Sequence, residues 1–205
     1  MPSRQGRITR RSYSRQREVN NMRQASTQGV PLEYIQSILK IDENSPSGLT
    51  WLPRENSRCS SRFANKIAGC KHTDPKDSYK KWNLNIRYNE KRLNFICSRV
   101  IFLLHHGFLT KGKCIDHIDG NPLNNKVENL RESTRNQNNQ NSRRPKTNTS
   151  GHKNVCWDKK SGKWRVRIQA NGKRHYFGLY EDKEEAIRVA IEARKKLHGE
   201  FGRDK

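Results

Sequence analysis

The sequence is short of the material that one large core needs. Of its 205 residues only 31% are hydrophobic, so small cores joined by polar connections are expected in place of a single compact globule. No apolar run approaches the length of a membrane-spanning helix, and no charged-then-apolar leader opens the chain, which argues against a membrane protein. Cysteine is scarce and poorly spaced. Cys59, Cys70, Cys97, Cys114 and Cys156 are odd in number and contain no C-x-x-C pair, so reduced thiols in a cytosol are expected. The shortage of acid is the most informative. Against 43 Lys+Arg stand 20 Asp+Glu, a formal charge of +23, and such a field attracts a polyanion. Nucleic acid is the implied partner, because its neutralised phosphates release condensed counterions. Neither a membrane nor a small-molecule cofactor is indicated.

What is present falls into segments. Residues 1–30 hold Arg4, Arg7, Arg10, Arg11, Arg15, Arg17 and Arg23 against Glu18 alone, the composition of a flexible basic arm. Leu32, Ile35, Ile38 and Leu39 recur at helical spacing before the break at residues 45–48, and Leu49–Leu52 reads as a short strand. Trp82–Arg87 alternates as a strand does, with Arg92–Ile96 as its antiparallel partner across Tyr88-Asn89-Glu90-Lys91. The most apolar run, Val100–Leu104, predicts a buried helix ended by Gly107. Residues 53–80 show no pattern. Residues 141–151 lack both periodicity and core residues, so the expected organisation is a domain over 31–141, a linker over 142–150 and a second domain over 151–202.

Within the first domain, Cys114-Ile115-Asp116-His117-Ile118-Asp119-Gly120-Asn121 approaches as a strand and closes in an Asp-Gly turn. Leu123-Asn124-Asn125 and Glu128-Asn129-Leu130-Arg131 follow. Then comes Ser133-Thr134-Arg135-Asn136-Gln137-Asn138, where Ser133 can cap a helix bearing the asparagines. Histidine is the side chain suited to take a proton from water near neutral pH. An Asp carboxylate and an Asn carbonyl are hard oxygen ligands for Mg²⁺ or a similar ion. In this order the motifs resemble the HNH endonuclease family, in the branch found in phage and intron-encoded nucleases. The resemblance implies a ββα-metal fold, with His117 as general base, Asn129 as the asparagine that pins the loop, and Asp116 and Asn138 as ligands of one divalent ion, Mg²⁺ or Mn²⁺. Asp119 is read as the turn residue. The competing expectation is an inert scaffold in which Asp116 pairs with a nearby Arg and His117 bonds a backbone carbonyl.

The second domain is more legible. In Lys163–Ala170, alternation sets Trp164, Val166, Ile168 and Ala170 on one face and Lys163, Arg165, Arg167 and Gln169 on the other. Asn171-Gly172 is a two-residue hairpin turn. Pairing across it is expected to set Gln169 opposite Arg174, Arg167 opposite Tyr176 and Val166 opposite Phe177. Asp182-Lys183-Glu184-Glu185 has the form of a capping box opening a helix with Ala186, Ala190, Ala193 and Leu197 on one side. A first strand is expected at Lys153–Trp157. Residues 148–202 resemble the APETALA-two or ethylene-response-factor DNA-binding domain, which implies a three-stranded sheet laid in the major groove, with Lys153, Arg165, Arg167, Gln169, Arg174 and Tyr176 as its DNA-binding residues.

The sequence therefore predicts an α+β protein: a ββα-metal nuclease domain followed by a small three-stranded antiparallel sheet packed on one helix. Its expected activity is site-selective hydrolysis of double-stranded DNA, of a homing or nicking kind, in the cytosol of a bacterial host if the chain is phage-encoded. One active site makes one nick per encounter. The alternative is a non-catalytic DNA-binding regulator that retains a degenerate nuclease domain.

Overall fold

A computed structural model describes residues 29–54, 60–73, 80–145 and 147–204. Almost all of the basic arm expected over residues 1–30, and Cys59, lie outside the described residues. The chain divides into two compact units, Met1–Glu132 and Ser133–Lys205. Each is a mixture of short helices and small antiparallel sheets. No helix among the described residues is long and apolar enough to cross a membrane.

The first unit opens with helix α1 (Leu32–Ile38), whose Leu32, Ile35 and Ile38 are buried. The helical pattern stops at Leu39, which is extended at φ −136 and ψ 145 and begins a strand that the sequence spacing had merged with the helix. This strand, β1 (Leu39–Ile41), pairs antiparallel with β2 (Leu49–Trp51), Ile41 facing Leu49. A short helix α2 (Ser60–Phe63) precedes a three-stranded sheet of β3 (Cys70–Thr73), β4 (Lys80–Tyr88) and β5 (Lys91–Ile96), in that order. Strand β3 lies in the stretch that carried no sequence pattern. The β4–β5 turn is closed by Asn89 and Glu90, both at positive φ.

Alternation along β4 turns Trp82, Leu84 and Ile86 inward, toward helix α3 (Cys97–His106), whose Val100, Ile101 and Leu103 are fully buried. Each such side chain contributes about 1.5–3 kcal/mol on leaving water. Gly107 ends α3 in the left-handed region, its N–H donating to the Leu103 carbonyl at 2.9 Å. Strands β6 (Cys114–His117) and β7 (Leu130–Ser133) then form a two-stranded sheet, with a 3-10 turn at Val127–Asn129 between them.

The second unit contains helix α4 (Arg135–Gln140), a sheet of β8 (Val155–Asp158), β9 (Lys163–Ala170) and β10 (Lys173–Tyr180) with β9 central, and helix α5 (Lys183–His198). Thr134, not Ser133, caps α4: its hydroxyl accepts from the Gln137 N–H while the Gln137 side chain returns to the Thr134 N–H. Val166, Ile168 and Ala170 of β9 are buried, as are Ala186, Ala190 and Ala193 of α5, which packs on the sheet. Asp182 caps α5 through the N–H groups of Glu184 and Glu185. Residues read as the end of a linker are folded here, since Ser150 is 2% exposed and its hydroxyl reaches the Val155 carbonyl at 2.7 Å.

The hairpin register holds near the turn, with Arg174 opposite Gln169 and Tyr176 opposite Arg167. It then shifts: Val166 faces Gly178, not Phe177, because Phe177 is the extra residue of a β-bulge. A bulge of this kind inserts one residue and moves every later side chain to the other face.

Candidate active site and nucleic-acid interface

His117, the last residue of β6, is half-buried, and its Nε2 lies 3.0 Å from Asn125 Oδ1. Asn125 is itself 6% exposed, and its Nδ2 donates to the Ser47 carbonyl at 2.9 Å. That second bond fixes which end of the amide faces the histidine, because a carbonyl only accepts. Asn125 therefore presents an acceptor to the ring, which Nε2 meets as a donor. The Ser47–Gly48 corner allows this approach. Gly48 sits at φ +79, where a Cβ would lie 2.6 Å from Ile101 Cδ1 and 3.2 Å from Asn125 Cβ. Asn125 was visible in the sequence only as one of a pair of loop asparagines; the signal that could have singled it out is the eight-residue spacing from His117 across a closed loop.

Asn129 spans that loop. Its Oδ1 accepts from the Asp119 N–H at 3.0 Å, and its Nδ2 donates to Asp119 Oδ1 at 3.0 Å and to the Asn124 carbonyl at 2.8 Å. Asp119 is committed to the loop as well, accepting from the Asn121 N–H at 2.7 Å and from Asn124 Nδ2 at 2.8 Å. Burial pushes its carboxyl upward, but the bonds from Asn124, Asn121 and Asn129 and the nearby His117 outweigh this and hold it below its ordinary value.

Asp116 is 3% exposed, and Arg131 of β7 donates to its Oδ2 from Nε at 2.9 Å. This is the pairing expected of an inert scaffold, while His117 bonds a side-chain amide. The described residues contain no cluster of three or more His, Cys, Asp or Glu that could cage a metal. An Mg²⁺-like ion does not require such a cage, since it holds several waters and takes one or two carboxylate oxygens. The Asp116 carboxylate is a hard oxygen ligand of the kind such an ion takes, and a single carboxylate is too few for a zinc site, which needs three or four protein ligands. Asn138, on α4, is half-buried and belongs to the second unit, where its N–H donates to the Thr134 carbonyl at 3.0 Å.

On the second unit's sheet, Arg167, Gln169, Arg174 and Tyr176 share the face away from α5, and all four are exposed, Tyr176 at 59%. Arg165 lies on the same face, tied to Asp158 at 2.9 Å. The bulge brings Leu179 opposite Arg165 and leaves it 39% exposed, an apolar member of this face that strict alternation from Phe177 had hidden. Lys153 is the exception among the expected contact residues. It is 8% exposed and its ammonium donates to the carbonyls of Gln140 at 3.0 Å and Ser142 at 2.7 Å, so it is not on the open face.

The fold and these motifs define a chain with an HNH nuclease domain: the family model described as HNH endonuclease matches residues 97–140. The chain is also 43% identical over 98 residues to Protein 3.8 of Escherichia phage T7, covering 48% of this chain and 80% of that protein. It belongs to the same family as that phage protein. No solved structure matches it.

Proposed function

We propose that this protein is a site-selective, metal-dependent DNA endonuclease in which the HNH unit hydrolyses a phosphodiester and the C-terminal sheet, of the ethylene-response-factor type, holds the DNA. The observation that carries the reading is the Ser47–Asn125–His117 chain. It supports a histidine held with Nε2 as donor, a tautomer that would leave Nδ1 to take a proton from the attacking water. Asn129 and Asp119 keep the β6–β7 loop closed around that base. Asp116 and Asn138 would hold one divalent ion, Mg²⁺ or Mn²⁺, which supplies Lewis-acid stabilisation of charge on the phosphate and the leaving oxygen. In this assignment the β6–β7 pair and α4 are the strands and helix of a ββα-metal unit.

Double-stranded DNA is the proposed substrate, met in the cytosol of a bacterial host. Arg167 and Arg174 supply bidentate donors for guanine edges or phosphates, Gln169 an amide for adenine, and Leu179 an apolar contact for a thymine methyl. Tethering the nuclease to this sheet raises the local concentration of cleavable DNA. One active site gives a nick, and a homing role would need a second cut.

The Asp116–Arg131 ion pair favours a second reading, in which the nuclease unit is degenerate and the protein regulates by binding alone. Incubating supercoiled plasmid with the purified protein and Mg²⁺ or Mn²⁺ separates the two. The endonuclease reading expects nicked circles that disappear with EDTA and in His117→Ala. Equal cleavage by the variant, or no cleavage of DNA shown to be bound, overturns it.

A further inference from the structure

Helix α4 is six residues long and none of its residues is buried. A helix this short is marginal in water, and without an apolar face it gains little from packing. A groove of about 410 Å³ separates its Asn136 and Asn139 from Gln169 and Asn171 at the tip of the β9–β10 hairpin. The helix is held at its ends. At the start stands the Thr134–Gln137 capping box. At the other end is the Lys153 ammonium, 3.0 Å from the Gln140 carbonyl and 2.7 Å from the Ser142 carbonyl, where unsatisfied carbonyls and the negative end of the helix dipole favour a cation.

Lys153 is in turn anchored. The Lys153 carbonyl accepts from Arg194 Nη1 at 2.7 Å, and Arg194, 1% exposed, also donates to Asp204 Oδ1 from Nε at 3.0 Å and from Nη2 at 2.6 Å. A buried lysine is rare unless its charge is compensated, and here the compensation comes almost wholly from the end of α4.

We infer that Lys153 is a positioning residue: it clamps α4, and with it Asn138, to the C-terminal DNA-binding unit. This rests on the reading of Asn138 as a metal ligand. The clamp makes the placing of Asn138 depend on Lys153, because the helix that bears it is the one these two bonds hold.

The test uses the full-length chain and Lys153→Met, with Lys153→Arg to restore the charge. In hydrogen exchange, the N–H groups of Asn138 and Asn141, bonded to Thr134 and Gln137, are expected to exchange about tenfold faster in Lys153→Met and to recover in part in Lys153→Arg. The Mn²⁺ concentration for half-maximal cleavage should rise about tenfold or more, as for loss of an outer-shell partner, while affinity for the DNA site in EDTA is unchanged. Unaltered exchange and metal dependence in Lys153→Met overturn the clamp. Should that variant fail to fold, exchange in the wild type decides: α4 amides exchanging as in a free peptide overturn it, and protected ones support it. Faster exchange with an unchanged metal requirement keeps α4 clamped but removes Asn138 from the metal site, which overturns the inference while leaving the His117 reading intact.

Discussion

The Arg131 guanidinium stands 2.9 Å from Asp116 Oδ2 on the neighbouring strand, and the carboxylate is almost completely buried. Removing one partner of a buried ion pair is destabilising, a loss of about 3 kcal/mol. Arg131→Met is therefore expected to lower the melting temperature markedly. If Asp116 is also a metal ligand, Mn²⁺ should restore much of that loss, because an ion bound to the native state alone stabilises it by mass action. Thermal unfolding with and without Mn²⁺ reads this directly. A variant that the metal does not rescue would make Asp116 a scaffold residue.

The Asn125 amide orients His117 by accepting from Nε2. Asn125→Ala removes that acceptor and leaves the Ser47 carbonyl without the donor at 2.9 Å. General-base catalysis contributes about 10²–10⁴-fold, so if His117 is the base, loss of this orienting bond should lower kcat by about ten- to a hundredfold. DNA affinity in EDTA should stay unchanged. A fall in affinity equal to the fall in kcat would place Asn125 in binding and not in orientation of the base.

Asn129 gives an acid-stability prediction. Asp119 sits below its ordinary value because hydrogen bonds from Asn124, Asn121 and Asn129 overcome the upward push of burial. For a carboxyl lowered in the folded state, the stability gained is complete above the unfolded value and is lost as pH falls through the folded one. Asn129→Ala removes one of those bonds and leaves the Asp119 N–H without its 3.0 Å acceptor, a loss of about 1–3 kcal/mol. The variant should unfold at a higher pH than the wild type in an acid titration followed by circular dichroism. Coincident acid transitions would mean that the loop does not depend on this amide.

Much of the fold could be read from side-chain periodicity. Helix α3, the β4–β5 hairpin and the β9–β10 turn each carry a pattern that only one structure satisfies, and Gly107 and Asn171-Gly172 mark their ends. Strand β1 was hidden because Ile38 and Leu39 continue the helical spacing while the backbone has already become extended. Strand β3 was hidden because all four of its residues are exposed, so it has no apolar alternation to display. The bulge at Phe177 is an insertion in register that periodicity cannot register, and it hid Leu179. Lys153 is expected on the DNA face as the first residue of a strand over Lys153–Trp157, but the strand begins at Val155 and the lysine turns to carbonyls at the end of a helix. Asp116, His117 and Asn129 were legible as a set, whereas the Asn125 contact depends on the fold of the loop.

On the proposed DNA-binding face, Arg165 and Arg167 are not equivalent. Arg165 is paired with Asp158, while Arg167 is exposed opposite Tyr176. Arg167→Ala is expected to weaken binding to the selected site by about 1–3 kcal/mol if it reads a base, or to reduce the salt slope by about one if it meets a phosphate. Arg165→Ala should have the smaller effect, because its charge is already shared with a carboxylate. Fluorescence anisotropy across a salt series distinguishes these outcomes, and an Arg165→Ala loss exceeding that of Arg167→Ala would reverse the assignment.

Lys153 should leave its mark on stability above neutral pH. Burial, with the cations Arg194 and Arg203 nearby and Asp204 opposing them, lowers its ammonium from 10.5 to about 8. Below about pH 8 both folded and unfolded chains carry the proton, and the desolvation penalty is fully felt. Between about pH 8 and the unfolded value the folded chain has released a proton that the unfolded chain still binds, so stability rises with pH through that window. A neutral amine still has hydrogens for both the Gln140 and Ser142 carbonyls, so the clamp survives deprotonation. Cys97, whose burial beside Cys70 pushes its thiol up to about 12, works in the opposite sense, but it is common to wild type and variant. The melting temperature of the wild type minus that of Lys153→Met should be flat from about pH 6 to 7.5 and increase toward pH 10. A difference that stays constant across that range would mean that the ammonium is solvated and that α4 is held by other means.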